Sequence, residues 1–242
     1  MRARAQGARR WPRLLAKGAA GTLGVGLFAL LVLQLWFFAH VLWWRVANPV
    51  ESAFMARRLA ELRARDPAAR LEHRWVDYER ISVHLKRAVV AAEDAKFIDH
   101  GGFDWEAIAR ALERNEKRGR IVAGASTVSQ QLAKNLFLSP ERSWIRKAQE
   151  AAITAMLEAA MSKRRILELY LNFAEWGENV FGAEAAARHH FGTAAAALTP
   201  EEAAWLAAIL PDPRRHARGR TTPQASARAA RILARMPSAR IP

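Results

Sequence analysis

The longest apolar run in the chain lies near its N-terminus and predicts a membrane-spanning helix. Residues 18–44 read GAAGTLGVGLFALLVLQLWFFAHVLWW and contain no Asp, Glu, Lys or Arg. A helix of this length extends roughly 40 Å, which exceeds the hydrocarbon core of a bilayer at about 30 Å. Trp36, Trp43 and Trp44 lie toward its far end, where amphipathic rings prefer the headgroup layer.

A cleaved signal peptide is the alternative interpretation of this run, and it fits less well because the stretch is too long and lacks a small-x-small cleavage site before HVLWWRV. Residues 1–17 contain six Lys or Arg and no acid. Since basic flanks stay in the cytoplasm, we expect a cytoplasmic tail over 1–17, a transmembrane helix over 18–44 and one extracytoplasmic domain over 46–242.

Beyond residue 46 the apolar positions recur at helical spacing, and the predicted fold class is all-α or nearly so. Asp104 is placed to cap a helix that closes on Gly119. Three later helix starts are predicted where Ser or Thr precedes Pro: Ser139–Pro140, Thr199–Pro200 and Thr222–Pro223. Thr199 and Glu202 also have the spacing of a capping box. No repeat, low-complexity linker or convincing strand ladder is found.

The formal net charge is +15, and subtracting the six cations of residues 1–17 leaves +9 for the remainder. A surplus of this size suits an anionic membrane face or an anionic substrate. The sequence contains no cysteine. Disulfides, thiolate chemistry and cysteine-based metal sites are therefore excluded.

Two adjacent carboxylates, Glu93 and Asp94, follow the apolar residues 89–92 directly. Sugar transfer needs one carboxylate to move a proton at a hydroxyl and a second to manage the leaving group or the developing oxocarbenium charge. Glu93 fits the first role, and the alternative is a helix-end carboxylate without one. For Asp94, Asp99 and Asp104, helix caps and turns are the favoured interpretation.

The segment 124–136, GASTVSQQLAKNL, is rich in neutral polar side chains. Thr127 and Gln130 have capping-box spacing and predict a helix start. Its Ser, Thr, Gln, Lys and Asn side chains are donors and acceptors suited to a polyhydroxylated or anionic ligand. An ordinary polar helix face explains the same pattern equally well.

A basic segment, SPERSWIRKAQEAAITAMLEAAM, follows. If its helix begins near Pro140, then Arg142, Arg146 and Glu150 lie along one face with Lys147 beside them. Glu150 opens an otherwise apolar run, and a carboxylate among cations suits an anionic ligand held with its counter-charges. The alternative is a surface ion pair worth about 0.3–0.5 kcal/mol.

The segment KRRILELYLNFAEWGENVFG, residues 163–182, carries an apolar stripe that includes Tyr170 and is interpreted as mainly structural. Tyr170 and Trp176 fit the lining of a cleft equally well. His100, inside EDAKFIDHGG, is expected to fix its loop by hydrogen bonding.

Together these four segments resemble the monofunctional biosynthetic peptidoglycan transglycosylases, membrane-anchored members of the glycosyltransferase family that polymerises lipid II. The motifs are Glu-Asp-x-x-Phe-x-x-His-x-Gly (EDAKFIDHGG), Gly-x-Ser-Thr-x-x-Gln-Gln-Leu-Ala-Lys-Asn (GASTVSQQLAKN), Arg-Lys-x-x-Glu (RKAQE) and Ile-Leu-x-x-Tyr-Leu-Asn (ILELYLN). Each pattern is weak alone, but all four in order are very specific. The likeness covers about residues 74–215, with Val128 and Ala125 as minor departures from the usual isoleucine and glycine.

The resemblance implies a lysozyme-like helical lobe with a smaller lobe near the membrane. It implies that Glu93 is the general base, which deprotonates the acceptor's 4-hydroxyl for inverting attack on the anomeric carbon of the growing chain, and that undecaprenyl pyrophosphate leaves. Glu150 corresponds to the second essential carboxylate. The positions that hold the pyrophosphate correspond to Lys134, Arg142, Arg146 and Lys147. The donor cleft would be lined by Ser126, Thr127, Gln130, Gln131 and Asn135.

The resemblance further implies that the partners are lipid II, the growing lipid-linked glycan, the membrane and other proteins of cell-wall synthesis and division, and not nucleic acid. The sequence shows no metal ligand set, and the one cofactor expected is a divalent cation, Mg²⁺ or Mn²⁺, at the pyrophosphate. The anchor is expected to be single-pass in the inner membrane of a two-membrane bacterium, with the catalytic domain in the periplasm. Because Ser-x-x-Lys and Lys-Thr-Gly are missing from the sequence, we expect glycan polymerisation without transpeptidation.

Two other classes of protein account for parts of the sequence. A lysozyme-like lytic enzyme shares the expected fold and a catalytic Glu, but it needs far fewer cations over residues 134–147 because its leaving group is a sugar hydroxyl. A non-enzymatic, membrane-tethered cationic scaffold or nucleic-acid binder accounts for the basic composition. That class leaves the polar segment 124–136 without a purpose, and the predicted orientation separates the domain from nucleic acid.

Overall fold

A computed structural model describes residues 10–120, 124–141, 143–216 and 222–242, with side chains from residue 21 onward. Within these ranges the chain forms ten α-helices and one sheet of two short strands, which confirms the predicted fold class of nearly all α. The chain divides into two compact units, one made of the residues up to Trp43 and one spanning Trp44–Pro242.

The first helix, α1, spans Arg10–Trp44. Its portion Gly21–Trp44 has a mean hydropathy of 2.2 over its most apolar window. Among the described residues, this is the one helix that is long and apolar enough to cross a membrane. The helix therefore fits the predicted anchor.

The second unit contains the remaining helices and the sheet. In chain order the helices are α2 Ala53–Arg63, α3 Val83–Glu93, α4 Trp105–Arg118, α5 Val128–Phe137, α6 Trp144–Ala160, α7 Lys163–Phe173, α8 Ala183–Phe191, α9 Pro200–Ile209 and α10 Pro223–Arg235. Strands β1 (Glu72–His73) and β2 (Val180–Phe181) pair in parallel. The further division of this unit into a larger and a smaller lobe stays a prediction.

Side-chain caps begin most of these helices, as local sequence predicted. Thr127 and Gln130 form a reciprocal capping box at the start of α5, and Thr199 and Glu202 form another at α9. Asp104 accepts a hydrogen bond from the backbone N–H of Ala107 at 2.8 Å. Its helix, α4, ends at Gly119, whose φ of 59° lies in the left-handed region that glycine adopts without strain.

The predicted helix start at Ser139–Pro140 is wrong. Helix α6 begins four residues later, at Trp144, because the hydroxyl of Ser143 accepts the backbone N–H of Arg146 at 3.1 Å and supplies the cap there. Pro140 therefore lies before the helix, and Arg146 and Glu150 are the members of the predicted face that α6 contains.

Two groups of packed helices form the core of the second unit. Helix α9 packs against α3 and α10, and α5 packs against α6 and α7. Side chains from both groups are fully buried, including Leu85, Val89, Leu132, Ile166 and Leu206. The end of α3 and the start of α5 meet between the two groups, and α10 lies beside α3.

Candidate active-site cleft

Glu93 is the last residue of α3, and both of its carboxylate oxygens accept a hydrogen bond. Oε1 accepts from the Arg228 guanidinium at 2.9 Å, and Oε2 accepts from Gln131 Nε2 at 2.9 Å. The helix buries Val89 and Val90 completely and then ends. The apolar run therefore anchors the helix in the core and delivers a carboxylate to the edge of that core.

Glu93 lines a cavity of about 750 Å³, a size typical of ligand sites. The cavity walls come from the ends of α3 and α9, from α4 and α10, and from α5 with the loop before it. The residues expected at the site that line this cavity are Glu93, Ser126, Thr127, Gln131 and Lys134. A carboxylate and a cation thus line one cavity, and the role of each in catalysis stays a prediction.

Two expected cleft residues have other positions. Gln130 is buried, and its side-chain oxygen accepts the backbone N–H of Thr127 at 3.1 Å as part of the capping box. Its observed contact therefore shapes the start of α5. Asn135 is half-buried on α5 and is not among the described residues that line the cavity. A role of either residue in binding substrate stays a prediction.

Asp94 joins the first motif to the second. Its Oδ1 lies 2.8 Å from His100 Nε2, and its Oδ2 accepts the backbone N–H of Val128 at 3.0 Å. His100 Nδ1 accepts the N–H of Gly102 at 3.1 Å, so the proton of the neutral ring is assigned to Nε2, which donates to Asp94. Burial raises the pKa of Asp94, and the hydrogen bond from His100 opposes that shift.

The same loop is closed by Thr127, whose hydroxyl donates to the carbonyl of Gly102 at 2.7 Å. Gly102 has φ +94°, and a Cβ atom there would lie 2.8 Å from Thr154 Cγ2. The expectation that His100 fixes its loop is confirmed. Asp94 also caps α3 as predicted, but it additionally holds the loop against α5.

Lys134 is half-buried one helical turn beyond Gln131. Burial lowers the pKa of Lys134; Glu150 opposes this shift, whereas Arg146 and Lys147 add to it. Its ammonium lies 5.5 Å from the centre of the Phe54 ring. Lys134 is therefore a partly desolvated cation in the cavity wall, and electrostatic attraction to an anion is stronger in such an environment.

Glu150 is buried, and it holds two cations at the start of α6. Its Oε2 accepts from Arg146 Nη1 at 2.6 Å, and its Oε1 accepts from Lys147 Nζ. Arg146 Nε is buried without a hydrogen-bond partner in the described part of the chain. A buried N–H without a partner costs free energy, so the hydrogen bonding of the Arg146 guanidinium is incomplete.

Arg146, Lys147 and Glu150 at the start of α6 are joined to the cavity through Ser126. Its hydroxyl accepts a hydrogen bond from Lys147 Nζ at 3.4 Å. Ser126 itself lines the cavity beside Thr127. Arg142, the remaining cation expected here, lies outside the described residues. Arg146, Lys147 and Glu150 are not among the described residues that line the cavity, and Lys147 reaches its wall only through Ser126.

Four arginines of the lining were not singled out by the sequence. They come from α4 and α10, and they are Arg110, Arg114, Arg228 and Arg235. Arg228 is the most significant because it contacts Glu93, although the two residues are separated by 135 positions. Basic residues at spacings of three and four mark α10 in the sequence, but such a pattern is typical of any solvated helix face.

The arrangement combines a carboxylate able to accept a proton with several cations able to stabilise a leaving anion. Such a pair fits transfer of a sugar from a phosphorylated donor to a hydroxyl, in which a proton is lost at one end and negative charge develops at the other.

Comparison with known proteins agrees with this chemistry. A family model described as Transglycosylase matches residues 59–237. A protein of Dechloromonas aromatica (strain RCB) is 58% identical over 233 residues, which cover 96% of this chain and 98% of that protein. A protein of Azoarcus sp. (strain BH72) is 60% identical over 216 residues, covering 89% of this chain and 93% of that protein. Both carry the name biosynthetic peptidoglycan transglycosylase.

Proposed function

Because this chain belongs to the transglycosylase family, we propose that it polymerises lipid II into linear glycan strands of peptidoglycan. The observation that supports this function best is that Glu93 and Lys134 line the same cavity. A glycosyltransferase that releases a diphosphate needs these two groups within reach of one bound donor and acceptor.

In the proposed reaction Glu93 accepts the proton of the acceptor's 4-hydroxyl. The oxygen forms a bond to the anomeric carbon of the growing chain from the face opposite the diphosphate, so the configuration inverts. The bond between the anomeric carbon and the diphosphate oxygen breaks, and its electron pair leaves with undecaprenyl pyrophosphate. The glycan grows by one disaccharide unit at each turnover.

Lys134, Arg146 and Lys147 are proposed to stabilise the negative charge that develops on the departing diphosphate. Glu150 orients Arg146 and Lys147, because its carboxylate accepts a hydrogen bond from each of them. Arg142 is proposed to belong to the same group by its place in the motif. Ser126, Thr127 and Gln131 then contact the donor sugars from the cavity wall.

A divalent cation, Mg²⁺ or Mn²⁺, is proposed to arrive with the diphosphate. Among the described residues, no group of three or more His, Asp or Glu side chains is arranged to hold a metal ion. Both oxygens of Glu150 already accept from cations. These residues do not fit a metal site built by the protein, so the proposed steps use protein cations alone.

The anchor is proposed to lie in the inner membrane, with residues 1–17 in the cytoplasm and the catalytic unit in the periplasm. The six cations of that tail support this orientation. Substrate and enzyme then share one membrane surface, which confines their encounter to two dimensions. Other proteins of cell-wall synthesis and division are proposed partners, and nucleic acid is not.

The test is to incubate the full chain with lipid II and, separately, with finished glycan. Growth of chains from lipid II supports the proposal, whereas shortening of finished glycan without growth would identify a lytic enzyme. Lys134→Met should lower kcat for polymerisation by about 10²–10³-fold, since one donor to the transition-state charge is lost. Lys117→Met removes an exposed cation from α4 and is expected to retain wild-type kcat.

A further inference from the structure

Two hydrogen-bonded supports reach Glu93 from different parts of the fold. On one side, the hydroxyl of Tyr170 donates to Gln131 Oε1 at 3.0 Å, and Gln131 Nε2 donates to Glu93 Oε2 at 2.9 Å. On the other side, Arg228 donates to Glu93 Oε1 at 2.9 Å. Rotation about the Cγ–Cδ bond of Glu93 would break the hydrogen bonds from Gln131 and Arg228 together.

Tyr170 holds the oxygen end of the Gln131 amide by a hydrogen bond. The tyrosine is 2% exposed on α7, and burial raises its pKa well above the ordinary value, so its hydroxyl keeps its proton. Gln131 Nε2 faces two groups that can only accept, the Glu93 carboxylate and the carbonyl of Ser126, so the amide oxygen lies toward Tyr170 and accepts its proton. The flipped amide would place an oxygen against the carboxylate.

Arg228 supports the carboxylate directly from α10. This helix buries Ala225 and Ile232, which fix it against the rest of the unit. Arg228 lies between them in sequence, and its side chain is 33% exposed. A charge-assisted hydrogen bond from a packed helix orients a carboxylate more firmly than a neutral donor does.

We propose that Arg228 and Tyr170 are positioning residues for proton transfer by Glu93, the first by direct contact and the second through Gln131. This inference rests on the proposed function, because it assigns Glu93 as the proton acceptor. With one hydrogen bond at each oxygen, the carboxylate keeps a fixed plane, and a remaining lone pair faces the cavity for the acceptor hydroxyl. Small errors in this geometry lower the rate strongly, since a catalytic group misplaced by about 1 Å reduces the rate roughly 10²-fold.

The charged and titratable groups around Glu93 come from four elements. They are Asp94 next to it, Lys134 on α5, Tyr170 on α7 and Arg228 on α10. Arg228 is the cation in contact with the carboxylate.

The experiment uses the full chain in vesicles that contain lipid II and compares Arg228→Met, Arg228→Lys and Tyr170→Phe with the wild type. Arg231→Met is the matched control, because Arg231 lies three residues further along α10 and is exposed. Initial rates of polymerisation give kcat and KM for each variant across the pH range. Thermal unfolding is measured in parallel so that a loss of folding is recognised.

Arg228→Met and Tyr170→Phe should each lower kcat by roughly 10- to 100-fold with KM within about twofold of wild type. Arg228→Lys should restore most of the rate, because it returns a cation to the same place. Folded variants with wild-type kcat, or an equal loss in Arg231→Met, would overturn the inference while the proposed function stands. Failure of the wild-type chain to polymerise lipid II would instead remove the proposed function itself.

Discussion

Two neighbouring carboxylates show how position at a helix end decides the role of a side chain. Glu93 ends α3, and both acids line the cavity, but Asp94 is only 7% exposed. Asp94 uses both oxygens to join His100 to the backbone of Val128. One acid is therefore available to substrate, and the next holds two motifs together. The residue types alone do not distinguish these roles; the end of the helix does.

His190 provides a residue-scale prediction on pH and stability. Its Nε2 lies 2.8 Å from the carbonyl of Trp176, and burial lowers the pKa of His190. A histidine whose pKa is lower in the folded state contributes stability above about pH 6.5, and this contribution is lost as the pH falls below that value. The melting temperature of His190→Gln should therefore fall less than that of wild type between about pH 7.5 and about pH 5.

His189→Gln is the control for this measurement, since His189 lies beside His190 and is more exposed. Burial also lowers the pKa of His73, so part of the acid sensitivity should remain in His190→Gln. If the melting temperatures of His190→Gln and wild type fall equally between these pH values, His190 does not contribute to the acid sensitivity.

At the scale of elements, local chemistry predicted helix starts well. Thr127 with Gln130 and Thr199 with Glu202 cap their helices as expected, because a cap depends on residues within one turn. The predicted start of α6 at Pro140 lay too early, because proline and serine are both common near the start of a helix. The hydroxyl of Ser143 accepts a free backbone N–H and caps the helix, whereas the side chain of Pro140 has no hydroxyl that could do so.

Ser143→Ala should destabilise the chain by about 1 kcal/mol, equivalent to roughly 2–4 °C in Tm for a chain of this size. Because the first turns of α6 carry Arg146, Lys147 and Glu150, fraying of this end should also lower kcat. Ser162→Ala is the matched control, since Ser162 caps α7 through the N–H of Arg165 in the same way. Both variants should lose a similar amount of Tm, and only Ser143→Ala should have a lower kcat. Equal kcat values in the two variants would show that the start of α6 does not contribute to catalysis.

At the scale of the whole molecule, the sequence predicted the apolar helix, the nearly all-α fold and five of the residues that line the cavity. It did not predict Arg228, because contact between residues 135 positions apart depends on how α10 packs beside α3 and not on any local pattern. Tyr170 was ambiguous for a similar reason, because its hydroxyl suits a ligand or a neighbour and only tertiary packing assigns it to Gln131. Gln130 differs, since local spacing already predicted its place in the capping box.

The proposed reaction requires Glu93 to accept a proton while Lys134, Arg146 and Lys147 stabilise the leaving diphosphate. The most direct measurement is polymerisation of lipid II by Glu93→Gln in the full chain, together with the binding of lipid II to the same variant. The amide keeps the size of the side chain but does not take up the proton, so kcat should fall by about 10²–10⁴-fold while binding changes little. Turnover close to that of wild type would contradict the account.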